Sequence, residues 1–128
     1  MFYIVLNLIA FSLQNSHIEK ILPPLNNIYK TKINIPFIGN QEIEYERIRF
    51  FESEVRLHGL LNEKGIVYID KKNIYNYTFD EVLQNIIKKY KCDLYKPYYS
   101  HVEDIIVFKI KIKLLKFTKT LVLKNINR

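Results

Sequence analysis

The spacing of apolar and charged side chains between residues 41 and 61 is the first strong pattern in the chain. Ile48, Phe51 and Val55 recur at the spacing of one helical face, and glutamates and arginines fill most positions around them. Gly59 lies near the end of this pattern, and glycine readily adopts the left-handed conformation that ends many helices. The pattern therefore predicts the first principal helix within residues 41–61.

A second amphipathic segment covers residues 78–90. Its apolar side chains recur every three or four residues, at Phe79, Val82, Leu83, Ile86, Ile87 and Tyr90. Thr78 and Glu81 have the spacing of a capping box, in which each side chain bonds the other residue's backbone N–H group. This segment is predicted to be the second principal helix.

Several shorter segments have the signature of β-strands. Residues 66–70 form a short apolar run after a glycine, and residues 93–99 resemble a strand that leads into a turn. Residues 104–117 alternate apolar side chains with lysines, which is typical of a half-buried strand. Residues 30–36 alternate as an extended arm would, and a further strand is possible at residues 120–123.

The first 13 residues are almost continuously apolar and allow two interpretations. The run is too short to span a membrane as a helix, which takes about 20 residues. It lacks the basic start of a secretory signal because Lys20 is the first positively charged side chain. A buried N-terminal strand is the favoured prediction, and a cleaved signal peptide is the alternative.

These elements predict a single α+β domain. Its two principal amphipathic helices would pack with a small, mainly antiparallel sheet and an N-terminal hydrophobic strand. The predicted organisation is a hydrophobic segment and connector at residues 1–40, a core at residues 41–117 and a basic tail at residues 118–128. A length of 128 residues and a hydrophobic fraction of 48% are sufficient for one small core.

The residues that usually carry catalysis or bind metals do not form a recognisable motif. Cys92 is the only cysteine, so the chain cannot form an intramolecular disulfide or a thiolate zinc cluster. The three histidines lack the helical spacing of a metal-binding pair, and no glycine-rich phosphate loop is present. The sequence therefore predicts a chain with no catalytic residues, metal or cofactor, located in the reducing environment of the cytoplasm.

The net charge of +7 and the isoelectric point near 9.4 favour contact with nucleic acid or with an acidic protein surface. Four lysines on the alternating strand and just beyond it are the candidate nucleic-acid site: Lys109, Lys111, Lys113 and Lys116. Lysines on an exposed strand also discourage edge-to-edge aggregation. The basic side chains therefore have two explanations at this point.

One short motif resembles a known family. Tyr45-Glu46-Arg47-Ile48-Arg49 is similar to the Tyr-Glu-Arg-Ala-Arg signature that opens the main helix of omega-like small subunits of multisubunit RNA polymerases. The elements predicted after it, a short strand, a capped helix and another strand, also follow the family's order. The resemblance covers residues 36–99, and it points to a diverged member such as a viral polymerase would carry.

The resemblance implies a noncatalytic subunit of a DNA-dependent RNA polymerase, which would latch the largest catalytic subunit and help the complex assemble. The implied partner-binding residues are Tyr45, Glu46, Arg47, Arg49, Lys96 and Tyr98. Such a hetero-oligomeric subunit would contact DNA and RNA only through the complex and would not bind a membrane. Two alternatives stay open: a small basic nucleic-acid-binding protein, and a secreted or membrane-associated protein with a cleaved N-terminal signal.

Overall fold

In the computed structural model, which describes residues 21–95 and 97–127, a curled antiparallel sheet forms half of a barrel. Strand accounts for 57% of these residues and helix for 12%. The strands are β1 (Ile28–Ile35), β2 (Gly39–Arg49), β3 (Glu52–Gly59), β4 (Glu63–Ile69), β5 (Tyr77–Phe79), β6 (Cys92–Leu94), β7 (Tyr98–Ser100), β8 (Ile105–Ile112) and β9 (Phe117–Asn125). Their order across the sheet is β5-β4-β3-β2-β1-β9-β8-β6, and β7 also pairs with β8.

The predicted α+β fold with two principal helices is wrong. Within the described residues, the one α-helix is α1 (Glu81–Lys89), and the sheet is large rather than small. The helix predicted within residues 41–61 is instead the hairpin of β2 and β3. The N-terminal strand predicted at residues 1–13 lies outside the described residues.

The β2–β3 hairpin forms because its side chains alternate between the two faces of the sheet. Gln41, Ile43 and Arg47 on β2 are buried, whereas Glu42 and Glu44 between them are only partly covered. This repeat of two residues is the period of a strand. Placing the segment in a helix would have distributed these buried and charged positions around its circumference.

Other predicted elements are confirmed with small shifts in their ends. The strand at residues 66–70 is part of β4, the arm at residues 30–36 is part of β1, and the strand at residues 120–123 is part of β9. The strand predicted at residues 93–99 is divided into β6 and β7, which pair with successive parts of β8. The strand predicted at residues 104–117 ends as β8 at Ile112, before a short 3-10 turn.

The second predicted helix is confirmed as α1, but its cap differs from the prediction. Asp80, rather than Thr78, is the N-cap, and its Oδ1 accepts a hydrogen bond of 3.0 Å from the Leu83 backbone N–H. Its Oδ2 accepts a second bond, of 2.9 Å, from the backbone N–H of Ile66 in β4. One carboxylate therefore caps the helix and attaches it to the sheet.

Helix α1 joins the two edges of the half-barrel. It follows β5 at one edge of the sheet and leads into β6 at the other. Its buried Leu83 lies directly over Gly65 of β4. A Cβ atom at Gly65 would come within 2.8 Å of Leu83 Cδ2 and 2.9 Å of Asp80 Oδ1, so only glycine allows the helix to approach this closely.

The main core lies on the inner side of β1, β8 and β9, and it includes a buried carboxylate. Asp104 Oδ1 accepts hydrogen bonds from the hydroxyls of Tyr29, at 2.5 Å, and Tyr99, at 2.7 Å. Its Oδ2 accepts a bond of 2.9 Å from the side-chain amide of Asn125. These contacts link β1, β7 and β9 at one end of the sheet.

No helix among the described residues is both long and apolar enough to cross a membrane.

We expect Asp104→Ala to lower the free energy of unfolding by about 3 kcal/mol, because it leaves the buried Tyr29 hydroxyl and the Asn125 amide without this acceptor. Urea unfolding followed by circular dichroism measures the change. Glu103→Ala, at the exposed neighbouring position, is the control and should change stability by less than about 0.5 kcal/mol. Equal effects of the two substitutions would contradict a structural role for the carboxylate.

Gly65→Ala should destabilise the fold by about 1–3 kcal/mol, since the added methyl group forces Leu83 away from β4. Leu83→Ala alone should also destabilise it through lost burial. In the double variant the two losses should not add, because the smaller side chain at position 83 leaves room for the methyl group. Strictly additive losses in urea unfolding would show that the two residues do not meet in solution.

Candidate functional site

The half-barrel encloses an apolar cavity of about 550 Å³ between its sheet and helix α1. We call it the inner cavity. Residues from seven strands, from α1 and from two connecting segments form its walls: Ile43, Tyr45, Val55, Leu57, Val67, Asp70, Tyr75, Asn76, Tyr77, Thr78, Phe79, Leu83, Ile86, Ile87, Cys92, Leu94, Pro97, Ile106, Phe108, Ile110 and Leu123. Its volume falls within the range of small-molecule sites, roughly 300–1,000 Å³.

The cavity exists because inward-facing side chains from the two halves of the sheet do not fill the space between them. Val55 and Leu57 of β3 point inward from one half, and Phe108 and Ile110 of β8 do so from the other. All four are only half-buried, although they lie on the core side of their strands. Their incomplete burial marks a surface that a bound apolar molecule would cover.

Three tyrosines line the cavity wall: Tyr45, Tyr75 and Tyr77. Burial raises the pKa of Tyr45 to about 12, and the Ser53 hydroxyl opposes this rise. The Ser53 side chain is fully buried, and its hydroxyl oxygen has no hydrogen-bond partner among the described residues. The pKa of Tyr77 is also raised, first by burial and then by the neighbouring Tyr75. These hydroxyls remain neutral hydrogen-bonding groups at physiological pH.

The exposed wall residues lie around the segment between β4 and β5. Asp70, Tyr75, Asn76 and Thr78 are exposed there and line the cavity as well. The Asp70 carboxylate accepts a bond of 2.8 Å from the Lys72 backbone N–H. Asp70 is the one side chain with a full charge among the described residues that line the cavity. This segment therefore forms a polar entrance to an apolar interior.

A thiol also lines the cavity on the opposite wall. Cys92 of β6 is half-buried, and burial followed by the nearby Asp93 carboxylate raises the pKa of the thiol. A thiol with a raised pKa is a poor nucleophile because the reactive thiolate is scarce. Cys92 thus contributes apolar surface to the cavity rather than chemistry.

The residues of the polymerase-like motif lie on β2, where successive side chains point to opposite faces of the sheet. Tyr45 faces the inner cavity, whereas Glu46 faces outward and pairs with Arg56 at 3.0 Å. Arg47 is buried, and it donates hydrogen bonds of 3.0 Å to the backbone carbonyls of Phe50 and Pro23. Arg49 is exposed and pairs with Glu52 at 2.6 Å. The motif therefore does not present one continuous face to a partner.

Of the two other predicted partner-binding residues, one lies on edge strand β7. Tyr98 is 65% exposed on the outer face of the sheet, and Lys96 lies outside the described residues. Among the candidate nucleic-acid residues, Lys109 and Lys111 share the outer face of β8. Lys113 pairs with Asp93 at 3.1 Å, and Lys116 has a left-handed backbone in the turn before β9.

One group of possible metal ligands lies on the outer face of the sheet. Side-chain ligand atoms of Glu42, Glu44 and His58 lie within 4.8 Å of one another. The carboxylates already face cations, because Lys30 lies 2.9 Å from Glu42 and Arg56 lies 2.9 Å from Glu44. These ion pairs account for the cluster without a metal.

The inner cavity could not be predicted from the sequence. Its wall residues are ordinary core residues in the sequence, and only the pairing of distant strands brings them around one space. The sequence did contain part of the information needed to locate the cavity. The apolar side chains of residues 41–57 alternate with charged ones, so they face one side of a strand. That pattern identifies inward-facing positions but not the space between them.

Comparison of the chain with protein-family models, with curated proteins and with solved structures found no match.

Proposed function

We propose that this protein binds a small, mainly apolar molecule in the inner cavity. The observation that carries the proposal is the cavity itself, about 550 Å³ of space lined by aliphatic and aromatic side chains within a half-barrel. A pocket of this size, mostly apolar and with a few polar groups, is the usual form of a small-molecule site.

The polar groups around the cavity define the class of molecule. The described wall residues include one carboxylate, Asp70, and no lysine or arginine. A buried carboxylate or phosphate on the ligand would find no cationic partner among them, and an unpaired buried charge is costly. The tyrosine hydroxyls and the Asn76 side chain suit a neutral oxygen or nitrogen group. The ligand is therefore an apolar molecule with a neutral or positively charged polar end.

The polymerase-subunit function stays a prediction. The resemblance implied a helix that begins at Tyr45, and this segment is a strand whose residues point to opposite faces. The implied partner-binding set is consequently spread over the cavity wall, the hairpin turn and the outer face. Binding in the cavity has the stronger physical basis.

A neutral fluorescent probe tests the proposal directly. N-phenyl-1-naphthylamine becomes bright in apolar surroundings, and the chain contains no tryptophan to interfere with its signal. We expect saturable binding of one probe molecule per chain. Because the probe binds the folded state, a concentration of about 100 times Kd should stabilise the protein by about 2.7 kcal/mol in thermal or urea unfolding.

Two matched substitutions determine where the probe binds. Val55→Phe places a larger side chain in the cavity and should weaken probe binding roughly tenfold, since it occupies the space that the ligand needs. Val102→Phe makes the same change at an exposed position in the turn between β7 and β8 and should leave binding unchanged. Circular dichroism establishes that both variants are folded. Equal affinities in folded Val55→Phe and the unsubstituted protein would refute binding in the inner cavity.

A further inference from the structure

We propose that the outer face of β6 to β9 binds single-stranded nucleic acid. The face carries tyrosines, lysines and threonines on neighbouring strands, and we call it the basic-aromatic strip. Its members are Tyr95, Tyr98, Val107, Lys109, Lys111, Thr118, Thr120, Val122 and Lys124. The strip lies on the opposite side of the sheet from the inner cavity, so this proposal is independent of the first.

Strand register arranges these side chains in rows across the sheet. Lys109 lies opposite Thr120 of β9, and on its other side its backbone carbonyl accepts a hydrogen bond of 2.9 Å from the Tyr95 N–H. In the row on one side, Lys111 lies between Asp93 of β6 and Thr118 of β9. In the row on the other side, Val107 lies between Tyr98 and Val122. Neighbouring strands are about 4.8 Å apart, so each row forms a continuous surface.

The tyrosine rings of the strip are available for stacking. The Tyr95 side chain is 50% exposed and that of Tyr98 is 65% exposed. The Lys109 ammonium group lies over one face of the Tyr95 ring, 5.5 Å from its centre, which places a positive charge at this aromatic surface. Proteins that bind single strands combine these two features, aromatic rings for the bases and cations for the backbone.

The charges on the outer face are separated into two regions. On β1 to β3, Lys30 pairs with Glu42, and Arg56 pairs with Glu44, Glu46 and Glu54 at 2.9–3.1 Å. On the strip, Lys109, Lys111 and Lys124 form no ion pair within the part of the chain that the structure describes. The neighbouring Asp93 carboxylate is already paired with Lys113. The strip therefore carries three lysines without an acidic partner among the described residues, and their charge complements a polyanion.

The combination of exposed rings and cations favours a single strand over a duplex. In a duplex the base faces are stacked within the helix, so exposed tyrosines on a sheet would meet only the sugar-phosphate backbone. In a single strand the bases are free to stack on Tyr95 and Tyr98 while the phosphates approach the neighbouring lysines. Contact with bases through stacking implies little dependence on sequence.

Fluorescence anisotropy of the full chain with a labelled oligothymidylate of about 16 nucleotides tests the proposal. If Lys109, Lys111 and Lys124 each displace a counterion, Kd should rise roughly 18-fold between about 50 and 200 mM salt. Tyr98→Ala should weaken binding at least about fivefold through the loss of stacking. The double variant Lys109→Glu with Lys111→Glu should weaken it by at least about tenfold.

The control must distinguish binding at the strip from an effect of the net charge of the protein. Lys64→Glu with Lys72→Glu changes the net charge by the same amount at exposed positions of β4 and the following loop. This variant should bind within about twofold of the unsubstituted protein at the higher salt concentration. Equal losses in the two double variants would overturn the proposal in favour of nonspecific attraction. Binding to vesicles that contain anionic lipid without binding to oligothymidylate would overturn it in favour of a membrane surface.

Discussion

The buried carboxylate of Asp104 is the interaction on which the shape of the sheet depends. It receives hydrogen bonds from residues of β1, β7 and β9, so one side chain links three strands. Asp104 has a left-handed backbone with φ of 54°, in the turn between β7 and β8. A non-glycine residue in this conformation is strained, and the three hydrogen bonds of the carboxylate stabilise the turn that holds it. Burial, followed by the hydrogen bond to Asp104, raises the pKa of Tyr29 and keeps its hydroxyl a donor.

Alternation along the strands determines how the two faces of the sheet differ. Apolar side chains that form the core and the cavity occupy the inward positions, and charged side chains occupy the outward positions. Arg47 is the main exception, since it is a buried cation on an inward position. Its guanidinium bonds two backbone carbonyls and lies 4.8 Å from the centre of the Phe50 ring. A side chain that is costly to bury is thus retained because it holds the hairpin turn together.

This turn explains why the fold was predicted only in part from the sequence. Two-residue hairpin loops usually contain asparagine or glycine, whereas this loop is Phe50-Phe51 and neither residue has a positive φ. A bulge between Arg47 and Arg49, together with the Arg47 side chain, takes the place of the usual turn residues. Without a turn signal, the spacing of Ile48, Phe51 and Val55 matched a helix by coincidence. Local patterns were sufficient to predict α1, β4 and β8, because the repeat of apolar positions in each was long or had clear ends.

The two candidate sites were predictable to different degrees for the same reason. Lys109 and Lys111 share a face because they lie two residues apart on one strand, and alternation alone reveals this. Tyr95 joins them only through the register of β6 and β8, which no local pattern encodes. The cavity depends even more on long-range pairing, since its walls come from strands at both ends of the sheet order.

Helix α1 also closes the space between the two edges of the half-barrel. It connects edge strand β5 to edge strand β6, and its Leu83, Ile86 and Ile87 line the inner cavity. The cavity therefore has the sheet on one side and a single amphipathic helix on the other. A molecule bound there contacts both, so its binding and the packing of the helix on the sheet are thermodynamically coupled.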